Sequence, residues 1–442
     1  MIWVWIIAAI AISWLLCRKK VAWYHYIWML LPVEMYGITI AGATIKPYMI
    51  LGVFMIIKNL LDRKAHKVPA AFVAIIFLLS VSDILNGLII ASIMQHVMFL
   101  VIIYIAYNYV LISENDDDLL ENIEVSTIAT TIGYGLVFLV AYWFYSRGIG
   151  FGGIYTTDRY SAGMLLNFIS TGGQTTVRLR GFCIDPNSVV TTLIPGASFG
   201  LARLLYKNGG KFRSLVAVIL YAIVMDLSGS RMAVVCTVAM VIIMLMMGYK
   251  QAENKLWWFG LIALVLLVVS FMAVYRFQNI ASEVYSFFTA RAGLNDTGGR
   301  FTIWKYNARW LSDNGRLLFG VGQNQISNLT SVGKACHNTW LEWICGTGIL
   351  LGGMIDLWFV ITPFVFLDRL KRNRIFIRDI IPIVLAYVTA LICITTVDNI
   401  TNSVVLFLMV IFRYGFIENY VEGICIPDRP ESQFSAICRS SH

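Results

Sequence analysis

Apolar runs long enough to cross a bilayer recur from one end of the chain to the other, and they limit the fold before any single motif does. At ~20 residues per span, about thirteen segments qualify: 2–17, 22–41, 47–61, 69–87, 92–112, 124–146, 186–206, 213–228, 231–248, 256–275, 339–366, 379–397 and 400–418. A chain of 442 residues that is 59% hydrophobic and only 13% charged has more apolar surface than a water-soluble core can hide. The expected fold class is an all-α polytopic membrane protein with about 12–14 transmembrane helices, one integral membrane domain over residues 1–442. The first run, Ile2–Cys17, is followed by Arg18-Lys19-Lys20 without a small-residue cleavage site, so it reads as a retained span rather than a signal peptide. Eight cysteines are scattered without CxxC or Cys/His spacing, which argues against a metal site or a disulfide framework.

Placement of basic residues sets the expected orientation. Arg18–Lys20, Lys58–Lys67, Arg203–Arg213, Lys250–Lys255 and Arg369–Arg378 read as cytoplasmic loops, which puts the N-terminus outside and the 420–442 tail in the cytoplasm. Two long loops then face outside, 147–185 and 276–338, and the second is the large extracytoplasmic loop. Their basic residues are mostly arginine: Arg147, Arg159, Arg178, Arg180, Arg276, Arg291, Arg300, Arg309 and Arg316. Positive charge outside runs against the usual bias. Solvated loop charge is the plainer explanation; phosphate, which the planar guanidinium fork holds bidentately, is the functional one.

Three outward segments each place a helix N-terminus at the outer surface, where free N–H groups attract anions. In RLRGFCIDPN, Asp185 reads as an N-cap and Pro186 as the first helical residue. In DLSGSR, Gly229 breaks the chain, Ser230 caps, and Arg231 opens the next helix. A cation at the positive end of a helix is unfavourable, unless an anion sits beside it; neutralisation by Asp226 or by a lipid phosphate is the alternative. In CHNTWLE, Thr339 and Glu342 have capping-box spacing, so His337 and Asn338 lie just ahead of a helix start. Neutral imidazole there can take a proton from a hydroxyl group, although a lone His beside Trp and Cys is often only a packing residue. Glu342 is the rival base, but its capping spacing gives it a structural task.

Between these, residues 300–311 read as a helix lying in the membrane interface. Phe301, Trp304, Ala308 and Leu311 form its apolar stripe and Lys305 and Arg309 its polar face, with Arg300 one turn from Trp304. The glycines of FGVGQ and GTGILLGG permit tight turns or close helix contacts. Glu34, Asp83, Asp356 and Asp398 lie in or beside spans, too scattered to mark an ion pathway.

SGSR (Ser228–Arg231), GGR...W (Gly298–Trp304), LFGVG (Leu318–Gly322), HN...LE (His337–Glu342) and the glycines that follow occur in one order over residues 226–353. In these the chain resembles the O-antigen ligase and O-antigen polymerase family of bacterial surface-polysaccharide enzymes. The upstream RLRGFCIDPN agrees with it, the N-terminal third matches only in hydropathy, and the tail after Cys425 does not match. The resemblance implies a glycosyltransferase-C-like membrane fold in the cytoplasmic (inner) membrane, with the active site on the periplasmic side. It implies transfer from an undecaprenyl-pyrophosphate-linked glycan donor to a glycan acceptor, with no metal and no other cofactor. By the same resemblance Arg231 and Arg300 are pyrophosphate-binding, Arg178 or Arg180 is a further contact, and His337 is the catalytic base. Asn338, Glu342 and Trp304 support the site. The lipid bilayer is the expected environment and a chain-length regulator protein a candidate partner; no nucleic acid is expected. Ligase and polymerase differ in acceptor, lipid A-core against another lipid-linked repeat unit. A transporter of an anionic solute is the non-enzyme alternative, which predicts internal repeats and paired mid-membrane charges.

Overall fold

The computed structural model describes residues 2–17, 29–31, 33, 38–40, 43–62, 68–87, 90–112, 119–148, 166–171, 174–181, 183, 186–206, 210–248, 258–259, 263, 300–372, 384–389 and 391–392. It is mostly helical. In chain order the elements are α1 (Ile2–Cys17), β1 (Ile38–Ile40), β2 (Ala43–Ile45), α2 (Pro47–Leu61), α3 (Ala70–Leu85), α4 (Ile90–Ile112), α5 (Leu119–Ser146), β3 (Leu166–Thr171), β4 (Gln174–Leu179), α6 (Pro186–Tyr206), α7 (Lys211–Ser228), α8 (Arg231–Gly248), α9 (Arg300–Asp313), α10 (Ile326–Leu329) and α11 (Thr339–Arg372).

Apolar sequences become helices here because, in a bilayer, each backbone N–H and C=O must find its partner within the segment. Among the described residues, Ile123–Ser146, Pro186–Tyr206 and Thr339–Val365 are long and apolar enough to cross a membrane. Pro47–Lys58, Ala70–Leu85, His96–Asn108 and Ala233–Met244 are shorter apolar helices. The spans expected at 256–275, 379–397 and 400–418 lie wholly or largely outside the described residues, as do the 420–442 tail, Asp185, Arg276 and Arg291.

Two details depart from an all-helical reading. The span expected over 22–41 is not one helix, because β1 pairs antiparallel with β2, Ile38 opposite Ile45 and Ile40 opposite Ala43. The loop expected over 147–185 contains a second hairpin, β3 with β4, which pairs Leu166 with Leu179 and Asn167 with Arg178.

Helix α6 forms the centre of the bundle, buried along nearly its whole length. Pro186 opens it, where a missing N–H costs nothing. Its small residues allow close approach on two sides: a Cβ at Gly196 would stand 2.1 Å from Thr131 Oγ1 of α5, and one at Gly200 2.9 Å from the Ser214 carbonyl of α7. Toward its C-terminus, Arg203 meets Glu124 of α5 at 3.2 Å. One apolar core joins α2–α5 to Trp343, Ile355 and Phe359 of α11, and a second joins α1 and α5–α8. A small separate core of Leu311, Val321, Ile326, Cys336 and Cys345 underlies the His337 region.

Candidate active site

The polypeptide around His337 is fixed from both sides. Trp304, in α9, donates its indole N–H to the Cys336 carbonyl (2.7 Å), and the buried Glu342 carboxylate accepts the Cys336 N–H (2.9 Å). Asn307 donates to the Cys336 sulfur at 3.3 Å. His337 follows directly, half-buried, with φ 50°, the left-handed region that few non-glycine residues occupy. Asn338 then caps α11, its Oδ1 accepting the Leu341 N–H at 3.2 Å and its carbonyl the Glu342 N–H at 2.9 Å. The N-cap is thus Asn338 rather than Thr339, and Glu342 is the fourth helical residue. Leu341 occupies the third helical position and has no acceptor to offer, so the acid one residue later reaches past the cap to Cys336.

Helix α9 packs against the His337 region through Trp304. It buries Ile303, Asn307 and Leu311, and Trp304 turns toward Cys336, because its indole donor finds a carbonyl there. Phe301, Lys305, Ala308 and Arg309 are exposed. Arg300 opens the helix, half-buried, one turn before Trp304 and so on the face that meets the His337 loop. The Cys336 thiol lies 3.6 Å from that of Cys345. That hydrogen bond, followed by burial, holds the Cys336 thiol well above its ordinary range.

Helix α11 is broken at Gly348 (φ 84°, ψ 166°), nine residues in. In an unbroken helix the Cys345 carbonyl would accept from Ile349 and the Gly346 carbonyl from Leu350. Instead they accept from Val321 (3.0 Å) and Gly322 (2.8 Å), while the Ile349 N–H donates to the Leu317 carbonyl (2.9 Å). The glycine loop therefore fills the break and satisfies both ends of it. Only hydrogen in place of a side chain fits: a Cβ at Gly348 would lie 2.0 Å from the Leu318 carbonyl oxygen, and one at Gly320 2.4 Å from the Gly346 backbone. The result is a short half-helix, 339–347, that presents His337 and Asn338 at its N-terminus. From Ile349 onward the exposed face is apolar: Ile349, Leu350, Met354, Leu357, Ile361 and Phe364.

The upstream motifs meet at a different helix start. Helix α7 ends at Gly229 (φ 55°), whose N–H bonds the Asp226 carbonyl (3.0 Å). Ser230 accepts the Ala233 N–H at 3.4 Å, capping α8, and donates to Asn187 Oδ1 at 2.6 Å. Arg231 is the first residue of α8. Arg178, at the end of β4, donates its Nε–H to the Ser228 carbonyl at 2.8 Å, close to the negative end of α7. Arg180 is wholly enclosed. RLRGFCIDPN and DLSGSR are thus one assembly, and HN...LE, FGVGQ and the 300–311 helix are another. Among the described residues, no group of three or more His, Cys, Asp or Glu is placed to hold a metal ion.

Residues 216–355 match a family model described as O-antigen ligase. This stretch is an O-antigen ligase/polymerase family domain. It runs from α7 through the Ser228–Arg231 turn, α9 and the glycine loop to the helix beyond the break, and takes in the motif order over 226–353. The family is one of membrane glycosyltransferase-like ligases and polymerases, which implies lipid-linked glycan substrates in a membrane. No curated protein matches the chain. Outside residues 216–355 the O-antigen ligase match gives no guide, and there the structure adds Asn187, which joins the Ser230 cap, and Asp83 of α3, which accepts the Gln323 N–H at 2.6 Å. Asp83 was visible in the sequence only as an isolated acid near a span end; its partner is a backbone group, which leaves no trace in residue types.

Proposed function

We propose that the protein is an O-antigen or capsular polysaccharide polymerase. It transfers an undecaprenyl-pyrophosphate-linked glycan chain to the hydroxyl of another lipid-linked repeat unit, at the outer face of the bacterial inner membrane. His337 takes the acceptor hydroxyl proton as the oxygen attacks the anomeric carbon. The bond from that carbon to the pyrophosphate breaks on the opposite face, with inversion, and the electron pair leaves on the pyrophosphate. Arg231 and Arg300, with the N-terminal N–H groups of α8 and α11, stabilise that charge without a metal. Arg178 or Arg180 supplies a further pyrophosphate contact, and Arg178 also bonds the Ser228 carbonyl beside Arg231.

The observation that carries this reading is the backbone of His337, held left-handed between a doubly anchored Cys336 and the Asn338 cap. Such strain persists where the surrounding structure enforces it, and it clusters at functional sites. In the polymerase both substrates belong to one class, lipid-linked glycans, so a single kind of membrane-surface site serves donor and acceptor. Transfer to lipid A-core is the second reading, favoured by the ligase description of the matched family. The glycan profile of a deletion strain tests both. Carrier lipid bearing single repeat units is the polymerase outcome; complete chains stranded on the carrier would move the assignment to ligase, and an unaltered profile would remove both.

A further inference from the structure

Helix α3 ends against the break in α11 through two side chains. Ser82 donates to the Gly346 carbonyl at 3.3 Å. Asp83, almost wholly buried, accepts the Gln323 N–H through Oδ1, while its Oδ2 stands 3.5 Å from His96 Nε2 of α4, an ion-pair rather than a hydrogen-bond distance. His96 Nδ1 is 3.0 Å from Ser80 Oγ, and that hydroxyl is 2.8 Å from the Ile76 carbonyl. Ser80 has one proton and the carbonyl can only accept, so both contacts are satisfied when Ser80 donates to Ile76 and His96 Nδ1–H donates to Ser80. Nearby, Arg316 bonds Asn86 Oδ1 at 3.2 Å.

A buried carboxylate paired in this way adds little net stability compared with apolar packing. Its geometry suits a different task. The Gln323 N–H it holds is one residue beyond the Val321–Gly322 pair that closes the end of half-helix 339–347. The geometry points to Asp83 as a positioning residue: by fixing Gln323 it holds the loop in the break, and through the loop it holds the half-helix that presents His337. This rests on the proposed role of His337; the anchoring itself does not.

Asp83→Ala and Asp83→Asn separate the possibilities, each assayed in the full chain in membranes as transfer per folded molecule. Asparagine keeps an oxygen for Gln323 N–H and offers an amide donor to His96 Nε2, so it should retain kcat within about twofold. Alanine removes the acceptor; kcat should fall about ten- to a hundredfold, as expected for misplaced reacting groups, with KM little changed. Peptide-resolved thiol labelling provides a readout independent of catalysis. Cys345 and Cys336, buried at the base of the half-helix, should stay protected in Asp83→Asn and become reactive in Asp83→Ala. Retained protection in Asp83→Ala would overturn the proposal, as would an Asp83→Asn protein with kcat reduced more than tenfold or with exposed thiols. If alanine does not accumulate, the asparagine result decides alone. Loss of protection without loss of kcat would keep the anchor and reject the role of His337.

Discussion

His337 sits on a backbone that glycine would adopt with less strain. Replacing it with glycine should raise stability by up to about 1 kcal/mol, while transfer per folded molecule falls about a hundred- to ten-thousandfold, the usual worth of a general base. Donor binding should persist, since the arginines remain. Undiminished turnover would end the assignment as base. Arg231→Lys and Arg300→Lys keep charge but lose the fork, and each should lose about a hundredfold or more in rate, or a few kcal/mol of charge stabilisation. Wild-type rates in both would mean that charge alone suffices. Cys336 carries a thiol whose pKa is raised, so its neutral form persists above the ordinary thiol range. In wild-type protein its maleimide labelling should therefore stay low as pH rises through about 8.5, where a free thiol becomes reactive; labelling that climbed there would contradict the buried pair. At this scale the sequence singled out His337, Asn338, Glu342 and Trp304. It could not reveal that Cys336 is where Trp304 and Glu342 converge, since both bond its main chain.

Among the elements, α11 was legible as a helix starting at Thr339, but its break was not. Gly346, Gly348 and Gly320 read equally well as helix-packing residues, and only the loop 317–322 lying in the gap decides between these uses. Gly348→Ala places a Cβ against the Leu318 carbonyl at a positive φ, and strain with overpacking predicts a loss of about 2–5 kcal/mol. Thermal unfolding in detergent would register it as a lower midpoint; an unchanged midpoint would mean the loop can leave the gap freely. The β1–β2 hairpin is hidden for a different reason. Hydropathy averaged over a span cannot distinguish ITI and ATI, alternating with period two, from a stretch of membrane helix.

For the whole molecule, the apolar runs were the strongest signal, and α1, α2, α6 and α8 begin and end where the sequence placed them. Orientation rests on basic residues, and cysteine accessibility in intact cells checks it. Single cysteines near Gly150 and Asn324 should label with an impermeant reagent, and those near Gly209 and Asn373 should not. Protection at both of the first pair would remove the basis for an active site facing outward. The broken helix also sets how relatives could exchange parts. Because Gly320 faces Gly346, and Leu318 faces Gly348, at distances no side chain tolerates, segments 317–323 and 339–349 form a single hereditary unit despite their separation in sequence. A chimaera that imports one without the other inherits a lock cut for a different key, whereas moving both together, with the acid that faces Gln323, transfers a working joint.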